Sequence, residues 1–64
     1  MNNQKVKIVT SEPLKRGYYF IEVNNCLFLC LYDGLKFNPE SDKEEQWLLD
    51  NATEIKVKSL FKEL

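Results

Sequence analysis

Gly17-Tyr18-Tyr19-Phe20-Ile21-Glu22-Val23-Asn24-Asn25-Cys26-Leu27-Phe28-Leu29-Cys30-Leu31-Tyr32-Asp33-Gly34 is the stretch around which the rest of the chain must arrange itself. From Tyr18 to Val23 every residue except Glu22 is aromatic or β-branched, the composition best suited to a pleated surface. Asn24-Asn25 interrupts the apolar run, and asparagine tolerates the left-handed backbone that a tight hairpin turn requires. Cys26 to Tyr32 then supplies seven consecutive apolar residues. Both faces of that second strand are apolar, so it is expected to be the central strand of the sheet. Asp33-Gly34 is a further turn signal, returning the chain through Leu35-Lys36-Phe37 as a short strand.

Outward from this hairpin the patterns are simpler. On the N-terminal side, Lys5-Val6-Lys7-Ile8-Val9-Thr10 alternates polar and apolar, with Val6 and Ile8 on one face of a half-buried strand. Ser11-Glu12-Pro13 ends it, and Lys15-Arg16-Gly17 is a polar connection into the aromatic strand. On the C-terminal side a helix is expected over about 39–50. Asn38 before Pro39, or a capping box at Ser41-Asp42-Lys43-Glu44, marks its start, and Asp50-Asn51 its end. Trp47 and Leu48 share the face that docks on the sheet. Glu54 to Lys58 alternates again with Ile55 and Val57 inward, and Leu60 to Leu64 fits either an extension of that strand or a helical turn.

The fold class that follows is α+β. A curved antiparallel sheet of four or five short strands in meander order carries one helix on one face, within a single domain spanning residues 1–64. One helix covers only one face of such a sheet. Leu27, Leu29 and Leu31 lie on one side of the apolar strand, and Cys26, Phe28, Cys30 and Tyr32 on the other. Either the sheet curls into a small barrel, or the uncovered face meets another protein or a second copy.

The 64 residues are 44% apolar and 30% charged, a globular composition, and a chain this short buries only about 60% of its unfolded surface. The formal charge of −1 hides a basic, acidic, basic sequence. Lys5, Lys7, Lys15 and Arg16 outweigh Glu12 and Glu22, and a strongly acidic segment follows from Asp33 to Glu54. Lys56, Lys58 and Lys62 then restore positive charge near the C-terminus. Met1-Asn2-Asn3-Gln4 has no secretory character and no run is apolar enough to span a bilayer, so the expected address is the cytoplasm, away from membranes.

Chemistry is sparse. There is no histidine, and two thiols fall short of a zinc site. Cys26 and Cys30 on one strand are roughly 13 Å apart, too far for a disulfide, and read as small buried hydrophobes in a reducing compartment. Glu40, Asp42, Glu44 and Glu45 lack the spacing of a calcium loop, and Gly17 and Gly34 form no phosphate cradle. No nucleophile has an activating base. Neither an enzyme nor a cofactor is expected.

Arg16-Gly17-Tyr18-Tyr19-Phe20-Ile21-Glu22-Val23 resembles the octapeptide signature of RNA-recognition-motif domains, departing from it at Tyr19 and Val23. That resemblance implies base stacking on Tyr18 and Phe20, which alternation places on one face. The family's βαβ unit does not precede it here. The wider pattern of a Gly-Tyr-Tyr strand, a hairpin, and an apolar strand ending in Tyr32-Asp33-Gly34 is similar to short uncharacterised proteins of phages and mobile elements. It implies an accessory protein without an assigned activity.

The expected function is therefore a small non-enzymatic protein-binding module, with a homodimer as one form. Its expected contact residues are Tyr18, Phe20, Phe28 and Tyr32, with Lys15 and Arg16 beside them. The alternative is binding of single-stranded nucleic acid through the aromatic face, disfavoured by a net charge near zero.

Overall fold

A computed structural model describes residues 6–64. Its elements are β1 (Lys7–Val9), β2 (Gly17–Val23), β3 (Cys26–Tyr32), β4 (Phe37–Asn38), α1 (Asp42–Asn51) and β5 (Glu54–Glu63). The α+β class, the curved sheet and the single helix match the expectation from sequence. The strand order does not: the five strands run β1-β5-β2-β3-β4. β5 enters between β1 and β2, antiparallel to β2 and parallel to β1, so the sheet is mixed and the all-antiparallel meander is corrected. The curled sheet forms half a barrel.

The physical reason lies at Gly17. A Cβ at that position would sit 2.6 Å from the backbone oxygen of Lys62 and 3.2 Å from the Cα of Glu63. Glycine lets β5 come close enough to pair along β2, so β2, not β3, is the central strand. The β1–β2 connection is anchored beside this ladder, because the Tyr19 hydroxyl accepts from the Lys15 amide at 3.0 Å and donates to the Lys15 carbonyl at 2.9 Å. Leu14 packs against the core from the same connection.

β2 and β3 form the expected hairpin. Val23 pairs with Cys26 across Asn24 and Asn25, whose φ values of 51° and 67° belong to a two-residue type I′ turn. Along β2 the inward residues Tyr19, Ile21 and Val23 are buried, while Tyr18, Phe20 and Glu22 on the opposite face are half-buried. Cys30, Phe37, Leu48 and Ala52 complete the core.

The helix begins three residues later than the proline signal suggests. Ser41 is its cap, with Oγ accepting from the Glu44 amide at 3.2 Å, so the capping-box serine rather than Asn38-Pro39 sets the start. Leu48 is buried, and Trp47 packs on Phe28 with ring centroids 5.4 Å apart. At the other end β5 continues to Glu63, which resolves the C-terminal segment as strand. Two register shifts interrupt its ladder with β2, between Tyr18 and Tyr19 and between Phe20 and Ile21. In the first strand, the expected Lys5 lies outside the described residues and the ladder is confined to Lys7–Val9.

Asp33 organises the return into β4. Its Oδ1 accepts from the amides of Leu35 at 2.8 Å and Lys36 at 3.0 Å, and its Oδ2 from the Asn38 side chain at 3.1 Å. The Lys36 and Leu35 amides, with Asn38 adding to them, lower its carboxyl from 3.8 to about 2. A depressed pKa contributes stability that is complete above the unfolded value and lost as pH falls through the folded one. The difference in thermal midpoint between the wild type and Asp33→Asn, followed by circular dichroism, is expected to be constant above about pH 4 and to close toward about pH 2. Gly17→Ala is expected to destabilise by about 1–3 kcal/mol in denaturant titration, because two backbone segments must part to admit one methyl. An unchanged midpoint would show that β5 does not depend on that close approach.

Candidate functional site

The strand alternation that builds the core also builds a second surface. α1 covers the face of Tyr19, Ile21 and Val23; on the opposite face, Tyr18 stands beside Leu31, Phe20 beside Leu29 and Glu22 beside Leu27. Among the described residues no element packs over this outer face. Leu27 is 64% exposed, while Leu29, Leu31, Tyr18 and Phe20 are half-buried, screened by one another rather than by a second layer.

β5 extends the surface. Phe61 falls at the first register shift, where β5 has one residue more than β2, and its ring meets Phe20 edge-on with centroids 5.6 Å apart. Phe61 remains 59% exposed. Lys62 stands beside Tyr18 and Lys56 beside Glu22, and Lys58 reaches Glu22 at 3.7 Å. The outer face is thus an apolar and aromatic ladder bordered by lysines along β5. The carboxylates of α1 lie on the other side of the sheet.

The six residues expected to form one contact surface do not converge. Tyr18 and Phe20 belong to the outer face. Phe28 and Tyr32 point to the core side, where Phe28 supports Trp47 and Tyr32 packs on Phe37 at 4.8 Å between centroids. Lys15 is exposed and pairs with Glu63 at 3.7 Å, and Arg16 is exposed in the connection above Gly34. The residues that sequence reasoning missed are Leu29, Leu31 and Phe61. Alternation from Tyr18 and Phe20 identifies the two leucines once the hairpin register is known. Phe61 has no such signal, because its position depends on a bulge.

Two other features qualify as sites by chemistry or shape. Cys30 is buried, and its thiol is pushed up to about 12 by that burial, with Glu44 and then Glu40 adding to the shift. It is a packed hydrophobe without thiolate character. Cys26 differs from the expectation of burial: it is exposed at the hairpin end, and both thiols are free. Separately, an open groove of about 660 Å³ runs between the edge strands and the helix, lined by Val6, Ile8, Phe37, Leu48, Leu49 and Ile55. Its charged rim includes Lys36 and Glu45, which pair with each other at 3.5 Å. No groups of three or more cysteines or carboxylates come together as metal ligands among the described residues, and no described helix is long and apolar enough to cross a membrane.

Comparison with known proteins finds no protein family, no curated protein and no solved structure that matches this chain.

Thiol labelling under native conditions is expected to modify Cys26 readily and to reach Cys30 only as the protein unfolds, so one equivalent reacts quickly and the second follows denaturant. Rapid native labelling of both would mean that the β2–β3 core opens far more often than its burial implies.

Proposed function

We propose that this protein is a small non-enzymatic protein-binding module whose contact surface is the outer face of its sheet. The observation that carries the reading is the placement of Phe20, Leu29, Leu31 and Phe61 together on the face that α1 leaves uncovered. Apolar side chains there add nothing to the helix-covered core, and an exposed apolar patch bordered by charge is the usual form of a protein contact. Lys56 and Lys62 at the border favour a partner whose own apolar patch is flanked by carboxylates. The accessory role implied by the likeness to small phage and mobile-element proteins fits a protein that works by contact.

A second reading rests on the same face. Tyr18, Phe20 and Phe61 offer stacking surfaces, and Lys56, Lys58 and Lys62 lie along the adjacent strand, an arrangement able to hold single-stranded nucleic acid. The protein reading is preferred because the leucines of β3 make up the other half of the face and offer no stacking.

Differential capture from an extract of the source cells separates these readings. A protein retained by the wild type and by the groove variant Leu49→Ser, but lost by Phe20→Ser and Phe61→Ser, is the expected result. Loss with Leu49→Ser alone would move the contact to the groove and overturn the proposal. In a parallel titration with labelled single-stranded oligonucleotides, salt-sensitive micromolar binding abolished by Phe20→Ser would assign the face to nucleic acid instead.

A further inference from the structure

The two margins of the sheet are built differently. On one, β1 pairs only with Glu54 to Lys56 of β5, and β5 runs on to Glu63 with no described strand beside it. That margin carries Lys7, Lys58, Lys62 and Glu63 and contains both register shifts, devices that blunt further strand addition. On the other margin, β4 covers only Leu31 and Tyr32 of β3, stopping at Asn38 before Pro39. Cys26 to Cys30 is left with no second strand among the described residues. This open segment has no charge, no proline and no bulge.

Hydrogen-bond alternation says which groups it offers. Val23 and Cys26 close a two-residue hairpin, so they exchange bonds with each other. The amides and carbonyls of Cys26, Phe28 and Cys30 therefore point toward β2, and those of Leu27 and Leu29 point away from it. The next outward residue, Leu31, is already answered by β4, and its carbonyl also accepts from the Asn38 side chain at 3.2 Å.

We propose that the Cys26–Cys30 edge pairs antiparallel with the same edge of a second copy, about a two-fold axis at Phe28, joining two five-stranded sheets into one. In this register Leu27 faces Leu29 of the other copy and Leu29 faces Leu27, so every outward amide and carbonyl of the open segment finds a partner. Cys26 falls opposite Cys30. The pairing ends where β4 begins, so the opening and the strand that fills it have the same length.

Charge permits a second copy, and the two-fold register favours it over a foreign strand, because Leu27 and Leu29 answer each other's outward groups in both halves. An uncharged segment meets its own uncharged segment with no like charges opposed and no ion left without a partner. Glu40 and Glu44 lie near enough to Cys30 to act on its thiol, and in this register Cys30 meets the neutral Cys26 of the second copy. Cys30 of the second copy lies roughly 13 Å away along the strands, beyond a screening length of about 8 Å. The outer faces also become continuous, since Leu27 and Leu29 belong to both surfaces. To that extent alone the pairing rests on the reading of the outer face as a contact surface. Phe61, which tests that reading, lies on β5, two strands from this margin, whereas Phe20 is the cross-strand neighbour of Leu29.

Sedimentation velocity across the micromolar to millimolar range tests the pairing. The wild type is expected to sediment as a dimer of the 7.6 kDa chain. Leu27→Lys/Leu29→Lys sets lysine against lysine at both crossings and is expected to weaken the dimer by at least about tenfold, with an unchanged circular dichroism spectrum. Leu27→Lys/Leu29→Glu changes the same positions but sets lysine against glutamate, and is expected to restore a dimer that weakens with salt. A monomeric wild type at the highest concentration would overturn the proposal, as would equal dimerisation of both variants or equal loss in both. Because the Phe61 arm of the capture experiment reads β5, two strands from the Cys26–Cys30 edge, either proposal can fail while the other stands.

Discussion

Burial of Tyr19, Ile21 and Val23 on one face of a strand paired along both edges is the contact on which the remainder of the structure depends. Ile21 and Val23 are almost completely enclosed, and the side chains that enclose them come from β3, β5 and α1. The same alternation turns Tyr18 and Phe20 away from that core. A seven-residue strand with large apolar side chains on both faces needs a layer on each side, and the described residues supply one ten-residue helix. The unbalanced sheet is a direct result of fitting aromatic strands into so short a chain.

β5 determines the character of the face that is left over. Pairing with β2 on its aromatic side, it has two register shifts within ten residues, and each shift adds local twist. The curl that results brings the groove-lining side chains of β1 and β4 toward the helix. It also sets Phe61 against Phe20 on the outside of the sheet. Lysines on the same strand border this cluster, whereas the acids of α1 and its approach remain on the core side. The two faces thus differ in charge although the whole chain is nearly neutral.

The hairpin was legible because each of its signals is local. Asn24-Asn25 and Asp33-Gly34 specify turns by backbone preference, and the apolar runs beside them specify strands. The helix was legible too, although Ser41 prevailed over Asn38-Pro39 because its hydroxyl satisfies an amide of the first turn. Strand order was not legible. It depends on Gly17 admitting a carbonyl from a strand more than forty positions later, and nothing local to Gly17 distinguishes that role from a turn. Cys26 was misread for a related reason. Its position at the hairpin end leaves it exposed, while Cys30 on the same face is buried deeper along the strand. The candidate surface was half legible: Tyr18 and Phe20 followed from alternation, but Phe28 and Tyr32 belong to the opposite face and Phe61 depended on a bulge.

Leu27, Leu29 and Leu31 carry this reasoning one step further. Core burial explains Cys30 and the inward ring of Phe28, yet it does not explain three leucines on the uncovered side of the same strand. Threonine or a charged residue there would keep the β geometry and leave the helix-covered core untouched, because alternation isolates the two faces. The solvated faces of antiparallel sheets are ordinarily polar. The other margin of this sheet has that protection in its lysines and bulges, so the fold has the means to close an edge. The apolar content of β3 exceeds what its own core uses, and the excess lies where the outer face meets the one uncharged edge. Among the described residues no helix is left to cover that corner, and contact with another molecule is the use proposed for it.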